Sequence, residues 1–131
     1  MTILKERANM DRQEIFDYIQ KKYNIDPDYP WSSSPEDAVL RHKDSRKWFA
    51  LFMNISKDKL GLSGNERIDI VNVKCNPDTI ASLMQTRGFL PAYHMNKEQW
   101  MTILLDGTVS DNKILDFIEW SYELTVKKDK K

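Results

Sequence analysis

Two clusters of side chains in this 131-residue chain could do chemistry, and in both it is the chemistry of binding. The first runs from Arg41 to Lys47, where Arg41, Lys43, Arg46 and Lys47 surround the single acid Asp44. Arg41 and Lys43 alternate with His42, which on a strand sends both to one face. Arg46 and Lys47 follow at the tip of a turn. Cations crowded round a β-turn can lie along phosphates, the contacts that supply most non-specific affinity for nucleic acid. Lys74 and Lys97 are candidate helpers. The same residues also suit edge protection, because lysine and arginine on an exposed strand discourage edge-to-edge pairing. The second cluster is Tyr93, His94, Asn96, Lys97 and Trp100, which Trp31 could join. These rings could line a pocket for an anionic or planar ligand, with Lys97 as charge partner and Asn96 and His94 as hydrogen-bonding groups. The competing reading is a structural turn, with half-buried rings and Asn96 capping a short helical turn.

Other chemistries find less material. His42 and Asp44 stand two apart, and His94 and Glu98 four apart. Neither pair offers more than two ligands and nothing nearby completes a set, so no metal and no cofactor is expected. An enzyme would need His94 to meet a carboxylate in a polar cleft. No phosphate-binding glycine loop, nucleophile elbow or zinc motif is present, and no catalytic residue is expected. Cys75 precedes a helix start, where a thiol can be activated, but it also closes an apolar strand and suits a small core position.

Composition is that of an ordinary globular protein, with 40% apolar and 31% charged residues. Lys plus Arg equals Asp plus Glu at 20 each, so net charge gives no push toward nucleic acid or membrane. The single cysteine allows no internal disulfide. No apolar run approaches the roughly 18 residues of a membrane span, and Met1 to Met10 lack the apolar core of a signal peptide. The expectation is a cytoplasmic protein with one domain over residues 1–125 and a charged tail over 126–131. A monomer is expected rather than an obligate oligomer.

The elements that must position these clusters follow from local signals. Asp11 and Glu14 have the spacing of a capping box, opening a helix whose face is Ile15, Phe16, Ile19 and Tyr23. Asp26-Pro27-Asp28-Tyr29-Pro30 stops it. Ala38–Lys43 and Lys47–Ile55 read as a hairpin around Asp44-Ser45. The second strand is apolar on both faces, and alternation puts Trp48 and Phe52 on one of them, as a dimer contact or a covered sheet. Ser56 to Arg67 reads as a loop and Ile68 to Cys75 as a third strand. Asn76-Pro77 starts a second helix along Ile80, Leu83 and Met84, with Gly88 as its left-handed exit. Trp100 to Leu105 is another strand, ended by the turn Asp106-Gly107. Ser110 caps a last helix with the stripe Ile114, Phe117, Ile118, Ser121 and Tyr122. The order α-β-β-β-α-β(β)-α, with short turns between strands, implies a two-layer α+β domain: a mainly antiparallel sheet with helices on one face.

One set of motifs runs through nearly the whole chain, from about residue 11 to residue 125. It comprises Tyr29-Pro30-Trp31, Arg41-His42-Lys43, Arg46-Lys47-Trp48-Phe49-Ala50, Val73-Lys74-Cys75-Asn76-Pro77, Pro91-Ala92-Tyr93-His94-Met95-Asn96-Lys97 with Trp100, Asp106-Gly107 and Ser121-Tyr122. In combination it resembles the MmcQ/YjbR family of small bacterial proteins. The resemblance implies a compact α+β domain of frataxin-like or secretion-chaperone-like topology and a DNA-binding role that rests on structural analogy. It implies no catalytic residues. The family's recurring positions fall on Arg41, His42, Lys47, Trp48, Lys74, Tyr93, His94, Asn96, Lys97 and Trp100. Two functions are therefore expected. One is a binding domain whose partner is DNA, held by Arg41, Lys43, Arg46, Lys47, Lys74 and Lys97. The other is a small-molecule or protein interaction module built on Trp31, Tyr93 and Trp100, with His94, Asn96 and Lys97.

Overall fold

In the computed structural model, which describes residues 10–126, the capping box at Asp11 forms in full. Glu14 N–H donates to the Asp11 carboxylate at 2.9 Å, and Asp11 N–H donates to the Glu14 carboxylate at 3.0 Å. Helix α1 (Arg12–Tyr23) ends earlier than the proline-rich segment requires. Asn24 adopts φ 60° and its N–H returns to the Gln20 carbonyl at 2.8 Å, a left-handed cap that closes the helix before Pro27 is reached.

Five strands make one antiparallel sheet in the order β1-β2-β3-β5-β4. They are β1 (Ala38–Arg41), β2 (Trp48–Ser56), β3 (Arg67–Lys74), β4 (Phe89–Pro91) and β5 (Trp100–Leu104). The connection from β2 to β3 contains a 3-10 turn at Lys57–Leu60. The optional last strand of the expected order is β4, a short edge strand ending in a proline, a residue tolerated at edges because it lacks the ladder donor. Helix α2 (Pro77–Leu83) follows Asn76, whose side chain makes no cap hydrogen bond. It ends in ordinary helical geometry at Met84, so Gly88 is not its exit. Gly88, at φ 95°, instead serves the turn into β4, where a Cβ would come within 2.4 Å of Val109. Helix α3 (Asp111–Thr125) is capped by Ser110, whose hydroxyl accepts from Lys113 N–H at 3.3 Å.

All three helices cover one face. Ile15, Phe16 and Ile19 of α1, Ile80 of α2, and Ile114, Phe117 and Ile118 of α3 bury against Phe49, Phe52, Val71, Val73 and Ile103 of the sheet. The opposite face carries a smaller apolar cluster around Ile68, Ile70 and Leu104, to which no α-helix contributes. This is the two-layer α+β arrangement, and the face without helices holds most of the residues of functional interest. No helix of the described residues is long and apolar enough to cross a membrane. Residues 127–131 of the charged tail lie outside the described residues.

One expectation about this sheet fails for an instructive reason. Trp48 and Phe52 do not share a face. The β1–β2 register slips between Leu40 and Arg41, so that Leu40 pairs with Ala50 but Arg41 pairs with Trp48. A bulge places one extra residue on one strand and breaks strict alternation. Phe49, Ala50 and Phe52 all enter the helix-side core, while Trp48 turns to the other face and meets Trp31 edge-on at 5.6 Å.

Candidate functional site

The bulge is tied to a serine of α3. By register, Phe49 of β2 would face Lys74 of β3, yet the ladder begins only at Ala50–Val73. The Ser121 hydroxyl stands between them: it accepts from Lys74 N–H at 2.9 Å and donates to the Phe49 carbonyl at 2.7 Å. A polar residue in the buried stripe of α3 is thus explained, because it satisfies two backbone groups that the bulge separates. Just beyond, Trp48, Lys74, Trp100 and Lys47 gather with Leu124 and Thr125 of α3 around a depression of about 320 Å³. Lys74 and Trp100 are direct cross-strand partners. Among the described residues, no carboxylate lines this depression.

The hairpin cations divide. Arg41 is committed: its guanidinium is ion-paired and hydrogen-bonded to Asp28. Asp28 is fixed there by a two-way backbone bridge to Val39, which occupies the free edge of β1. The Arg41 guanidinium in turn holds the Asp28 carboxyl below the ordinary carboxylate range, against an opposing push from burial. Arg41 is therefore withdrawn from the set of phosphate-binding candidates. Its face-sharing with Lys43 also has no bearing, because β1 ends at Arg41. Lys43, Arg46 and Lys47 are exposed, and no ion pair reaches them among the described residues. The tip is shaped by Arg46 at φ 67°, with its N–H on the His42 carbonyl at 3.1 Å and His42 N–H on the Lys47 carbonyl at 2.9 Å.

The segment after β4 splits the expected aromatic cluster in two. A buried polar trio in the open face anchors it. Thr102 Oγ1 donates to Asn72 Oδ1 at 2.5 Å, Asn72 Nδ2 donates to the Tyr93 carbonyl at 3.2 Å, and Tyr93 N–H donates to Thr102 Oγ1 at 2.9 Å. This clamp lays Tyr93 over the sheet with His94 stacked on it at 4.0 Å. His94 sits at φ 59°, a conformation that non-glycine residues seldom adopt. Tyr93 and His94 then wall a groove of about 870 Å³ with Trp31 and Trp48, and Leu51 and Met53 also line it. Asn96 and Lys97 are not part of it. Asn96 is spent on the turn into β5, its side chain accepting from Glu98 N–H at 2.8 Å and its carbonyl from Trp100 N–H at 2.9 Å. Lys97 is exposed and lines neither the groove nor the lysine depression. Trp100 belongs to the depression with Lys47 and Lys74. Trp48, which the alternation reading put with Phe52, borders both sites.

His42 does structural work. It is buried, with Nε2 2.8 Å from Thr125 Oγ1 and its ring 4.3 Å from Tyr122. Thr125 gives its hydroxyl proton to a helix carbonyl, that of Ser121 (2.8 Å) or Tyr122 (3.1 Å), so it accepts from Nε2–H of a neutral imidazole. Burial lowers the His42 pKa below its ordinary value of 6.5, opposed by Asp44, the Tyr122 carbonyl and Glu123 and aided by Lys47. The sign follows from linkage. The unfolded chain takes up the proton first, so this contribution is complete above pH 6.5 and is lost as pH falls through the depressed folded value. The thermal midpoint of the wild type is expected to fall more steeply below pH 6.5 than that of His42→Gln. Parallel curves for the two proteins would contradict this. Cys75 is equally structural, since burial pushes its thiol up to about 11. Among the described residues no group of three or more His, Cys, Asp or Glu side chains could hold a metal ion.

Comparison with known proteins places the fold in company. A family model described as YjbR matches residues 20–124. The uncharacterised protein YyaQ of Bacillus subtilis is 43% identical over 116 residues, covering 88% of this chain and 98% of its own. A crystal structure of a Pseudomonas syringae protein superposes with a TM-score of 0.86 at 46% identity, over 89% of this chain and 100% of that one. The Deinococcus radiodurans protein DR2400 shares the fold, with a TM-score of 0.70 at 20% identity over 95% of this chain and 84% of its own.

Proposed function

This chain belongs to the YjbR family, and from that premise and from its own surface we propose that it is a small cytoplasmic binding domain, acting as a monomer, that holds single-stranded DNA. The observation that carries this reading is the depression in which Lys47 and Lys74 stand beside Trp48 and Trp100, with no acid in its lining among the described residues. Ammonium groups track a phosphate backbone, and indoles stack on bases. Only an unpaired base offers its face to an indole, which favours a single strand over a duplex. Lys43 and Arg46 extend the cationic edge along the hairpin tip. Arg41, neutralised by Asp28, takes no part.

Four cations, Lys43, Arg46, Lys47 and Lys74, set the expected salt dependence. Each phosphate neutralised on a single strand contributes about 0.7 to the slope of log affinity against log salt, so the slope is expected near −3. Fluorescence anisotropy with a labelled mixed-sequence strand of about 12 nucleotides, between about 50 and about 200 mM salt, measures it. Lys47→Gln combined with Lys74→Gln should bring the slope to about −1.4 and weaken all sequences alike. Binding that ignores salt, equal affinity for duplex, or no binding at the lowest salt would overturn the proposal.

A further inference from the structure

The groove beside Trp48 has a different chemistry from the lysine depression, and this difference identifies a second ligand. Four aromatic rings wall it: Trp31, Trp48, Tyr93 and His94. Trp31 and Trp48 stand edge to face at 83° with centroids 5.6 Å apart, which leaves a re-entrant corner where the two rings meet. Aromatic faces carry negative potential, and rings set at an angle around one point attract a positive head from more than one side. The charged groups of the groove agree. Glu36 and Asp37 line it, and Arg67 is the one lysine or arginine among the described residues that does so. The Arg67 guanidinium is occupied by Asn54, donating to its side-chain oxygen at 2.8 Å and to its carbonyl at 2.5 Å. Asp37 is half-buried, and its carboxylate forms no ion pair among the described residues. Burial raises its pKa despite Arg12 and Arg67 nearby, which is the condition of a carboxylate that a cation would relieve.

We infer that this groove binds an organic cation, a quaternary or alkylated ammonium head seated in the Trp31–Trp48 corner with Asp37 as its counter-charge. Of the anionic or planar ligand expected from sequence, the anionic choice with Lys97 as charge partner does not fit this groove, because Lys97 lies outside it and Glu36 and Asp37 line it. The groove's volume of about 870 Å³ lies within the range of small-molecule sites, about 300–1,000 Å³. The inference stands on the groove alone and does not depend on DNA binding.

Choline and its uncharged carbon isostere, dimethylbutanol, make the decisive pair of probes, because they share shape and differ in charge. Titration followed by the indole N–H signals of the intact protein reads both affinity and place. Choline is expected to shift Trp31 and Trp48 and to bind about tenfold more tightly than the isostere, within the range of a partly desolvated cation–π contact. Asp37→Asn should weaken choline severalfold and leave the isostere unchanged, and Trp31→Ala should weaken both. Equal binding of the two probes would show a merely apolar groove and overturn the inference. So would the absence of any shift at Trp31 with choline, or a choline affinity indifferent to Asp37→Asn. The salt series with DNA is a separate measurement, so failure of either proposal is recognised without the other.

Discussion

Phe52→Ala is expected to lower the unfolding free energy by about 4 kcal/mol, whereas Trp48→Ala should cost about 1 kcal/mol. Simple alternation treats the two residues as equivalent, so the contrast tests the bulge directly. Phe52 is fully buried in the helix-side core and meets Phe16 edge-on at 4.9 Å, with the Arg12 guanidinium 5.9 Å from its ring. Truncation there removes a large apolar side chain and leaves a cavity that α1 cannot close without moving. Trp48 is half-exposed, and its described ring partner is Trp31. Its loss removes area that the folded state has only partly withdrawn from water. Urea unfolding measured on both variants decides the matter, and similar costs would mean that Trp48 is core and unavailable for binding.

Ser121→Ala is the second large effect, expected at about 3 kcal/mol. One hydroxyl satisfies both Lys74 N–H and the Phe49 carbonyl, and each backbone group left buried without a partner costs about 1–3 kcal/mol. The substitution removes a single oxygen, so lost apolar packing cannot account for a cost of that size. The same hydroxyl holds the end of β3 where Lys74 pairs with Trp100 but has no partner on β2, so the folded variant should also bind DNA more weakly than the wild type. A cost under about 1 kcal/mol would show that water or a shifted strand replaces the hydroxyl readily, and that Ser121 does not set the bulge.

These two residues also mark the boundary of what could be read from sequence. Local signals were legible. The Asp11–Glu14 capping box and the Ser110 cap act over three residues, and both form. The strands around Phe49–Phe52 and Ile68–Val73 followed from apolar and β-branched runs, and the α+β order followed from turn spacing. Failures came where a distant residue decides. The bulge is accompanied by a serine 72 positions from Phe49. Arg41 reads as a free cation in the sequence because its partner Asp28 lies 13 residues away, on a segment whose local signal is only that of a helix stop. The site's second lysine, Lys74, is a candidate helper in the sequence, but nothing local gives its indole neighbours. Trp100 reaches it by strand pairing and Trp48 by the bulge. The aromatic cluster was half legible. Trp31, Tyr93 and His94 do line one groove, while the Asn96 side chain is taken up by the Glu98 N–H and Glu36 and Asp37 line the groove unannounced. Short-range spacing showed which residue types were present, and sheet register settled which of them became neighbours.

The chain holds four tryptophans, and their indole N–H signals report directly on the central claim that Trp48 and Trp100 form a stacking platform beside Lys47 and Lys74. Titrating a short single-stranded oligonucleotide at low salt should shift the Trp48 and Trp100 signals together, and added salt should reverse the shift. Trp120, exposed on α3 and outside the depression, should stay in place. Unmoved Trp48 and Trp100 signals, or a shift confined to Trp120, would contradict a DNA-binding role for this surface.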